Sequence, residues 1–302
     1  MIIADLHNDT AFELYYKKVH LKENKLNIDL KKQSFSKNLL FYAIYMEPEK
    51  YGNDKWRYFL NIYDYFLNEI NKNNEEIKLF KGTDDFLQGN KHNALLTLEG
   101  GTLIESLSDI KRLFDLKIRL ITLTWNESDR LASSCADFHD GGLTDFGKEE
   151  LLYMENLGII ADLSHSSDKT FFDVMKYAKK PVCVSHSNSR ALKNVKRNIT
   201  DEMFCALLEN NGLLGINFYS EFLGDSASVH DIIKHIEHFL TLGGENNIAF
   251  GSDFDGVSAL PRGVCDFTSY KDIYTLLNSV FGEATAEKIT YKNVLRFLQK
   301  RA

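Results

Sequence analysis

Ile159-Ile160-Ala161-Asp162-Leu163-Ser164-His165 is an apolar run that closes on a hydroxyl and an imidazole, and Val182-Cys183-Val184-Ser185-His186 repeats the pattern further along. Between them, Phe171, Val174, Met175 and Ala178 fall at i, i+3, i+4 and i+7 behind Ser167 or Asp168. That is the spacing and start signal of a capped amphipathic helix. Strand, helix and strand in so short a stretch form a βαβ unit, which sets its strands parallel with a right-handed crossover.

The same alternation extends in both directions. Apolar, often β-branched runs occur at Ile2–Leu6, Leu39–Tyr45, Ala94–Leu98, Ile118–Leu123, Ile159–Leu163, Val182–Val184, Leu213–Asn217 and Ile248–Phe250. A helix is expected to begin after Thr144 and stop at Gly158. Another starts at Thr200-Asp201-Glu202 and stops at Asn211-Gly212. The insert from Pro48 to Gly89 is long enough for an extended helix and an extra turn. Eight strand–helix repeats predict an α/β fold, a closed (β/α)₈ TIM barrel with an inserted helical segment after strand 2. An open doubly wound sheet is the alternative.

Bulk properties narrow the function. The 302 residues suit one barrel domain spanning 1–302, and no Ser/Gly/Pro-rich linker divides them. Hydrophobic residues make up 44% and charged ones 26%, as in an ordinary globular chain. A formal net charge of -7 with no basic block argues against nucleic acid as a partner. No run reads as a secretory leader or a membrane anchor. Cys135, Cys183, Cys205 and Cys265 lack CxxC spacing and read as small, mostly buried free thiols of a reducing cytoplasm.

A barrel carries its chemistry at the C-terminal ends of its strands, and the unusual polar residues lie there. His7 and Asp9 follow the first run, two apart, so that both can face one ion. Glu99, before Gly100-Gly101, closes the third run, and its two carboxylate oxygens could bridge a pair of metals. His165 and His186 close the fifth and sixth. Taken singly, each has an ordinary reading as a capped turn, a salt-bridged Glu or a core histidine. Five ligand-type residues on four strand ends predict a divalent metal centre, with zinc suited to the imidazole and carboxylate donors. Asp253, after the eighth run, is the candidate general acid and base, and Asp255 lies further into its loop. Arg197 is the candidate clamp for a substrate carboxylate. His230, His235 and His238 read as a solvated helix face. Neither a full phosphate-binding GxxxxGK(S/T), GxGxxG nor GxSxG occurs.

At these residues the chain resembles the membrane (renal-type) dipeptidase family, peptidase family M19, of the amidohydrolase superfamily. The motifs are Asp5-Leu6-His7-Asn8-Asp9, Glu99-Gly100-Gly101, Gly142-Leu143-Thr144-Asp145-Phe146-Gly147, Asp162-Leu163-Ser164-His165, Ser185-His186-Ser187-Asn188-Ser189-Arg190, Arg197-Asn198, Asn217-Phe218-Tyr219 and Gly251-Ser252-Asp253-Phe254-Asp255-Gly256. The resemblance implies a zinc metallopeptidase with two divalent ions, His7 and Asp9 on one, His165 and His186 on the other, and Glu99 bridging. It also implies dipeptide hydrolysis by a metal-bridging hydroxide, a tolerance for a D-residue at the C-terminus, Tyr219 in the pocket wall, and a homodimer. One position departs. The histidine expected after the Leu-Thr of the fourth run is Trp125, in Leu123-Thr124-Trp125-Asn126. Asn126 or the indole N–H is then expected to supply part of the missing donor to substrate. A related amidohydrolase acting on a lactam, a lactone or an N-acyl amino acid is the alternative activity. A non-catalytic ligand-binding barrel is the reading from another class.

Overall fold

The computed structural model describes residues 1–47, 50–52 and 54–300. Its strands are β1 (Ile2–Asn8), β2 (Lys37–Tyr45), β3 (Ile77–Leu79), β4 (His92–Glu99), β5 (Ile118–Thr122), β6 (Ile160–Asp162), β7 (Cys183–Ser187), β8 (Leu213–Ile216) and β9 (Ile248–Phe250). All pair in parallel, in the order β3-β4-β5-β6-β7-β8-β9-β1-β2, and a further β2–β4 pairing closes the ring. Eight strands therefore form the barrel at the places the apolar runs foretell. β3 stands outside the ring on the lower part of β4, from Ile77↔His92 to Leu79↔Ala94, and β5 takes over that edge at Leu96↔Ile118.

The insert differs from expectation. It holds a helix at Lys55–Lys72, then β3, then a helix at Thr83–Gln88. Three residues, Ile77-Lys78-Leu79, are too few to display alternation, so the strand left no periodic signal. Pro48, at the start of the insert, lies outside the described residues. The helix boundaries follow the local chemistry. Ser167, Thr144 and Thr200 each accept a backbone N–H of their own first turn, from Thr170, Gly147 and Met203. Gly158 ends the helix Asp145–Leu157 at φ +82°, where a side chain would be strained.

Two apolar regions hold the molecule together. The larger lies between the strands' outer faces and the surrounding helices, with Phe59, Phe66, Phe171 and Phe204 fully buried. The smaller is the barrel lumen, filled by Leu6, Leu39, Phe41, Leu95, Leu120, Ile160, Cys183 and Leu213. Val294 and Phe297 of the C-terminal helix Asn293–Gln299 join that cluster. Cys135 and Cys183 are buried as expected, while Cys205 and Cys265 are exposed. No described helix is long and apolar enough to cross a membrane.

One buried carboxyl on the helix Asp145–Leu157 has no partner. Both oxygens of Glu150 are buried without a hydrogen bond. Burial, and then the neighbouring Asp129, push its carboxyl up to about 9. An unfolded glutamate ionises near about 4.3. Between those values the folded chain holds a proton that the unfolded chain has lost, so stability falls as pH rises across the window. Glu150→Gln should raise the melting temperature by several degrees at pH 8, with a smaller gain near pH 5. Equal melting temperatures for the two proteins throughout would sink this account.

Candidate metal centre

The strand ends bring His7, Asp9, Glu99, His165, His186 and Asp253 to one end of the barrel. Their local routes differ. β1 carries an extra residue relative to β2, since Asp5 pairs with Leu40 but Asn8 with Tyr42. His7 therefore reaches the centre at a bulge, and Asp9 from the cap of the helix Thr10–Lys17, not from a regular strand. β6 stops at Asp162, and His165 sits in the turn beyond it at φ +66°. Asp253 and Asp255 follow β9 at φ +61° and +70°. Non-glycine residues in left-handed conformations cost energy and concentrate at functional sites; here they aim an imidazole and two carboxylates.

The distances divide the cluster around Glu99. Its Oε2 lies 3.6 Å from His7 Nε2, which is 3.5 Å from Asp9 Oδ2 and 3.9 Å from Asp253 Oδ1. The other oxygen, Oε1, lies 3.1 Å from His165 Nε2 and 3.6 Å from His186 Nε2. His7, Glu99 and His186 form one group whose ligand atoms could share a cation, and His7, Asp9 and Asp253 form a second. His7, Asp9, Glu99, His165 and His186 are all buried.

Several of these atoms have no protein partner. Both ring nitrogens of His7 and Oδ1 of Asp9 are buried without a hydrogen bond. Unsatisfied polar groups of this kind are rare and expensive. The His165 and His186 Nε2 atoms approach to 3.1 Å. Nδ1 of His165 meets the Asn126 amide oxygen at 3.0 Å, and Nδ1 of His186 meets Ser185 Oγ at 2.7 Å. With a proton on each Nδ1, two lone pairs and a carboxylate oxygen point at one spot, which suits a cation. These donors fit divalent metal ions.

Charge shifts agree. Burial, with Arg197 next, pushes His165 down to about 4, and burial with His7 and Arg197 holds His186 well below its usual range. Against the pull of burial, Glu99 and Asp9 hold His7 well above the usual imidazole range. Burial also works against ionising Glu99, yet His7 and His165 keep it well below the carboxylate range. Asp9 is raised by burial and by Glu99, and Asp253 is raised to about 6, chiefly by burial. Asn217 Nδ2 donates to Asp253 Oδ2 at 2.9 Å and fixes that carboxylate.

The centre floors a cleft of about 400 Å³ lined also by Phe12, Tyr45, Trp125, Asn126, Arg197 and Tyr219. Arg197 donates through Nη2 to the His186 carbonyl at 3.3 Å, and its Nε is buried without a partner. Trp125 packs on Tyr45, ring centroids 4.9 Å apart, with His165 at 6.2 Å. The Tyr219 hydroxyl meets Ser258 Oγ at 3.2 Å. Asp255 stands aside from the metal-type donors, accepting from Thr10 Oγ1 at 2.6 Å and the Asn27 N–H at 2.5 Å.

Among the other histidines, one expectation fails. His235 is buried, accepting the Ser189 N–H at 3.0 Å and facing the Leu223 carbonyl at 3.0 Å, so it belongs to the packed face of its helix. Neighbouring His238 pairs with Asp201 at 2.7 Å. Sequence reading gave no role to Asn217 or Tyr45, although both lie at the end of an apolar run, as the assigned residues do.

The family model described as membrane dipeptidase (peptidase family M19) matches residues 1–302. An uncharacterized dipeptidase of Schizosaccharomyces pombe is 31% identical over 215 residues, which cover 67% of this chain and 52% of the yeast protein. The aligned chain thus spans about half the length of that curated relative. A metallopeptidase from Rhodobacter sphaeroides, solved with a phosphinate mimic of the dipeptide L-Ala-D-Ala, superposes with TM-score 0.90 at 22% identity, covering 100% of this chain and 99% of that one. The probable dipeptidase PvdM from Pseudomonas aeruginosa gives TM-score 0.91 at 16% identity, over 100% and 96% of the two chains.

If these donors hold divalent ions, added zinc should raise the melting temperature of chelator-stripped protein, because a ligand bound by the folded state alone stabilises it. Glu99→Ala should lose that response. A zinc-dependent rise of equal size in the variant would show that the ions sit elsewhere.

Proposed function

The chain belongs to the membrane dipeptidase family, peptidase family M19, and from that premise we propose that it is a binuclear zinc dipeptidase whose site is the cleft above β1, β4, β6, β7 and β9. The observation that carries this reading is the set of donors around Glu99, whose Oε2 lies 3.6 Å from His7 and whose Oε1 lies 3.1 Å from His165 and 3.6 Å from His186. His7 and Asp9 would hold one ion, His165 and His186 the other, with Glu99 between them. Two such ions, when bound, supply a Lewis acid for the scissile carbonyl and a water of lowered pKa.

The chain's own residues supply the rest. Arg197 presents a guanidinium with an unpartnered Nε beside the centre, the geometry for a bidentate pair with a free C-terminal carboxylate. Anchoring the carboxylate there favours dipeptides, since a longer chain would carry its terminus past the clamp. Asp253 is held by Asn217 and raised to about 6 by burial, near the range for moving protons in neutral solution. In this scheme it takes the proton of the attacking water and returns it to the leaving amine. Trp125, Asn126 and Tyr219 line the walls against the substrate's side chains. The mimic held by the Rhodobacter sphaeroides relative ends in D-Ala, which supports testing D-residues at the C-terminal position.

Trp125 favours a second reading, in which the same centre opens a lactam, a lactone or an N-acyl amino acid. One panel separates the two: zinc-loaded protein is offered L,L- and L,D-dipeptides, their C-terminal amides, and those other substrates. Turnover of dipeptides but not of their amides is expected. Arg197→Met should raise KM for dipeptides by at least about tenfold, the effect of losing one charge-assisted pair. Equal turnover of amides and free acids would remove the carboxylate clamp from the mechanism. Activity on lactams or lactones without activity on dipeptides would favour the second reading.

A further inference from the structure

The barrel lumen contains a carboxylate that the proposed hydrolysis does not use. Leu120, Ile160 and Cys183 belong to the apolar filling of the lumen. Alternation along β5, β6 and β7 then sets Thr122, Asp162 and Ser185 one layer higher, beneath the metal centre. Asp162 is fully buried, and a lone charge there would be very costly. Instead both oxygens are saturated. Oδ1 accepts the N–H groups of Ser164 at 3.2 Å and Ser185 at 2.7 Å; Oδ2 accepts the hydroxyls of Thr122 at 2.7 Å and Ser185 at 2.6 Å.

The Ser185 hydroxyl has a second neighbour, Nδ1 of His186 at 2.7 Å. A carboxylate accepts and cannot donate, so the Ser185 proton points at Asp162. The Ser185 oxygen then faces Nδ1 with a lone pair, and Nδ1 must carry the imidazole proton. Nε2 is left bare toward Glu99 Oε1 at 3.6 Å. Ser164 Oγ supports the arrangement, lying 3.2 Å from Ser185 Oγ and accepting the His186 N–H at 3.0 Å.

The strand is shaped for this contact. β7 gains a residue relative to β8, since Val184 pairs with Leu214 but Ser187 with Ile216. At this bulge the Ser185 carbonyl packs directly against Gly215 of β8 and Gly251, the residue after β9. A Cβ on Gly215 or Gly251 would lie 1.9 or 1.7 Å from its oxygen. Neither glycine carries a side chain, which leaves room for the Ser185 peptide.

We infer that Asp162 is a positioning residue, which acts through the Ser185 hydroxyl to lock His186 in the tautomer whose Nε2 can ligate a cation. The inference rests on the metal reading of the cleft, and follows the rule that a histidine ligand is oriented by what its other nitrogen touches.

Asp162→Asn tests it without changing shape. Two backbone N–H groups on the Oδ1 side demand an oxygen there, so the amide NH₂ must face Ser185. The relay then reverses: the amide donates to Ser185, Ser185 donates to Nδ1, and the imidazole proton moves to Nε2, as when asparagine replaces the orienting aspartate of a catalytic triad. Nitrogen-15 NMR of the histidine rings in metal-free protein should show Nδ1–H for His186 in the native chain and Nε2–H in the variant. Competition with a chromogenic chelator should show zinc bound about 10–100-fold more weakly at one site. Ser185→Ala, which cuts the relay without an amide in the lumen, should give mixed tautomers and a smaller loss, and carries the test if Asp162→Asn does not fold.

An unchanged His186 tautomer with unchanged zinc affinity, in either folded variant, would overturn the inference. Because the tautomer is read without metal, a native chain that bound no zinc would defeat the metal reading while the relay still received its own answer.

Discussion

Everything at the mouth of this barrel depends on Glu99, a carboxylate buried among imidazoles. It sits close to His7 on one side and to His165 and His186 on the other, with Asp9 and Asp253 around it. Without a cation, such a cluster can lower its charge only by keeping protons. The shifts show it doing so: Asp9, Asp253 and His7 all bind protons more tightly than usual. Divalent ions would replace those protons, so binding should be coupled to proton release. The same crowding explains why burial alone does not decide each group's charge. Glu99 stays ionised because His7 and His165 outweigh its burial, whereas at Asp253 burial outweighs His7 and the carboxyl rises.

A closed parallel barrel lets one small volume collect so many costly groups. Five strands end at the centre, and each delivers one or two of its side chains from the strand end or from the turn just beyond it. The lumen shows the same logic in depth. Its lower layers are apolar and include Leu95, Leu120, Ile160 and Leu213. The layer under the centre carries Thr122, Asp162 and Ser185, whose hydrogen bonds close among themselves and on the ring of His186. Polar groups are admitted there because every donor meets an acceptor, and the reward is a fixed imidazole.

Much of this could be read from the chain before its coordinates. The eight apolar runs mark the eight barrel strands because a buried parallel strand needs continuous Val, Ile and Leu. Polar residues at their ends stand out for the same reason. What escaped was anything set by register. Ser164-His165 and Ser185-His186 look alike as sequence, yet His165 lies in a left-handed turn past β6 and His186 at a bulge inside β7. Alternation cannot foretell a bulge, so the partners it creates, Ser185 with Asp162 and with His186, had no sequence signature. Gly215 and Gly251 were visible as glycines, but their reason is an oxygen from another strand. β3 was too short to show a period. His235 was misjudged because helical spacing shows which residues share a face without saying what packs on it.

Trp125 illustrates why a departure in one loop can leave the rest intact. The imidazole it replaces in the resembling family belongs to the loop after β5, whereas the metal-type donors come from β1, β4, β6, β7 and β9. The indole instead packs on Tyr45 and lies across from His165, adding apolar wall to the cleft. Asn126, next to it, places its amide oxygen on His165 Nδ1, so it braces the same imidazole whose rim it forms. The indole therefore changes the wall of the cleft, while the hydrogen bonds to Nδ1 of His165 and of His186 stay in place. One loop thus carries both a wall of the cleft and a brace for a metal-type histidine, so a change at Trp125 spares the centre only while Asn126 keeps its place.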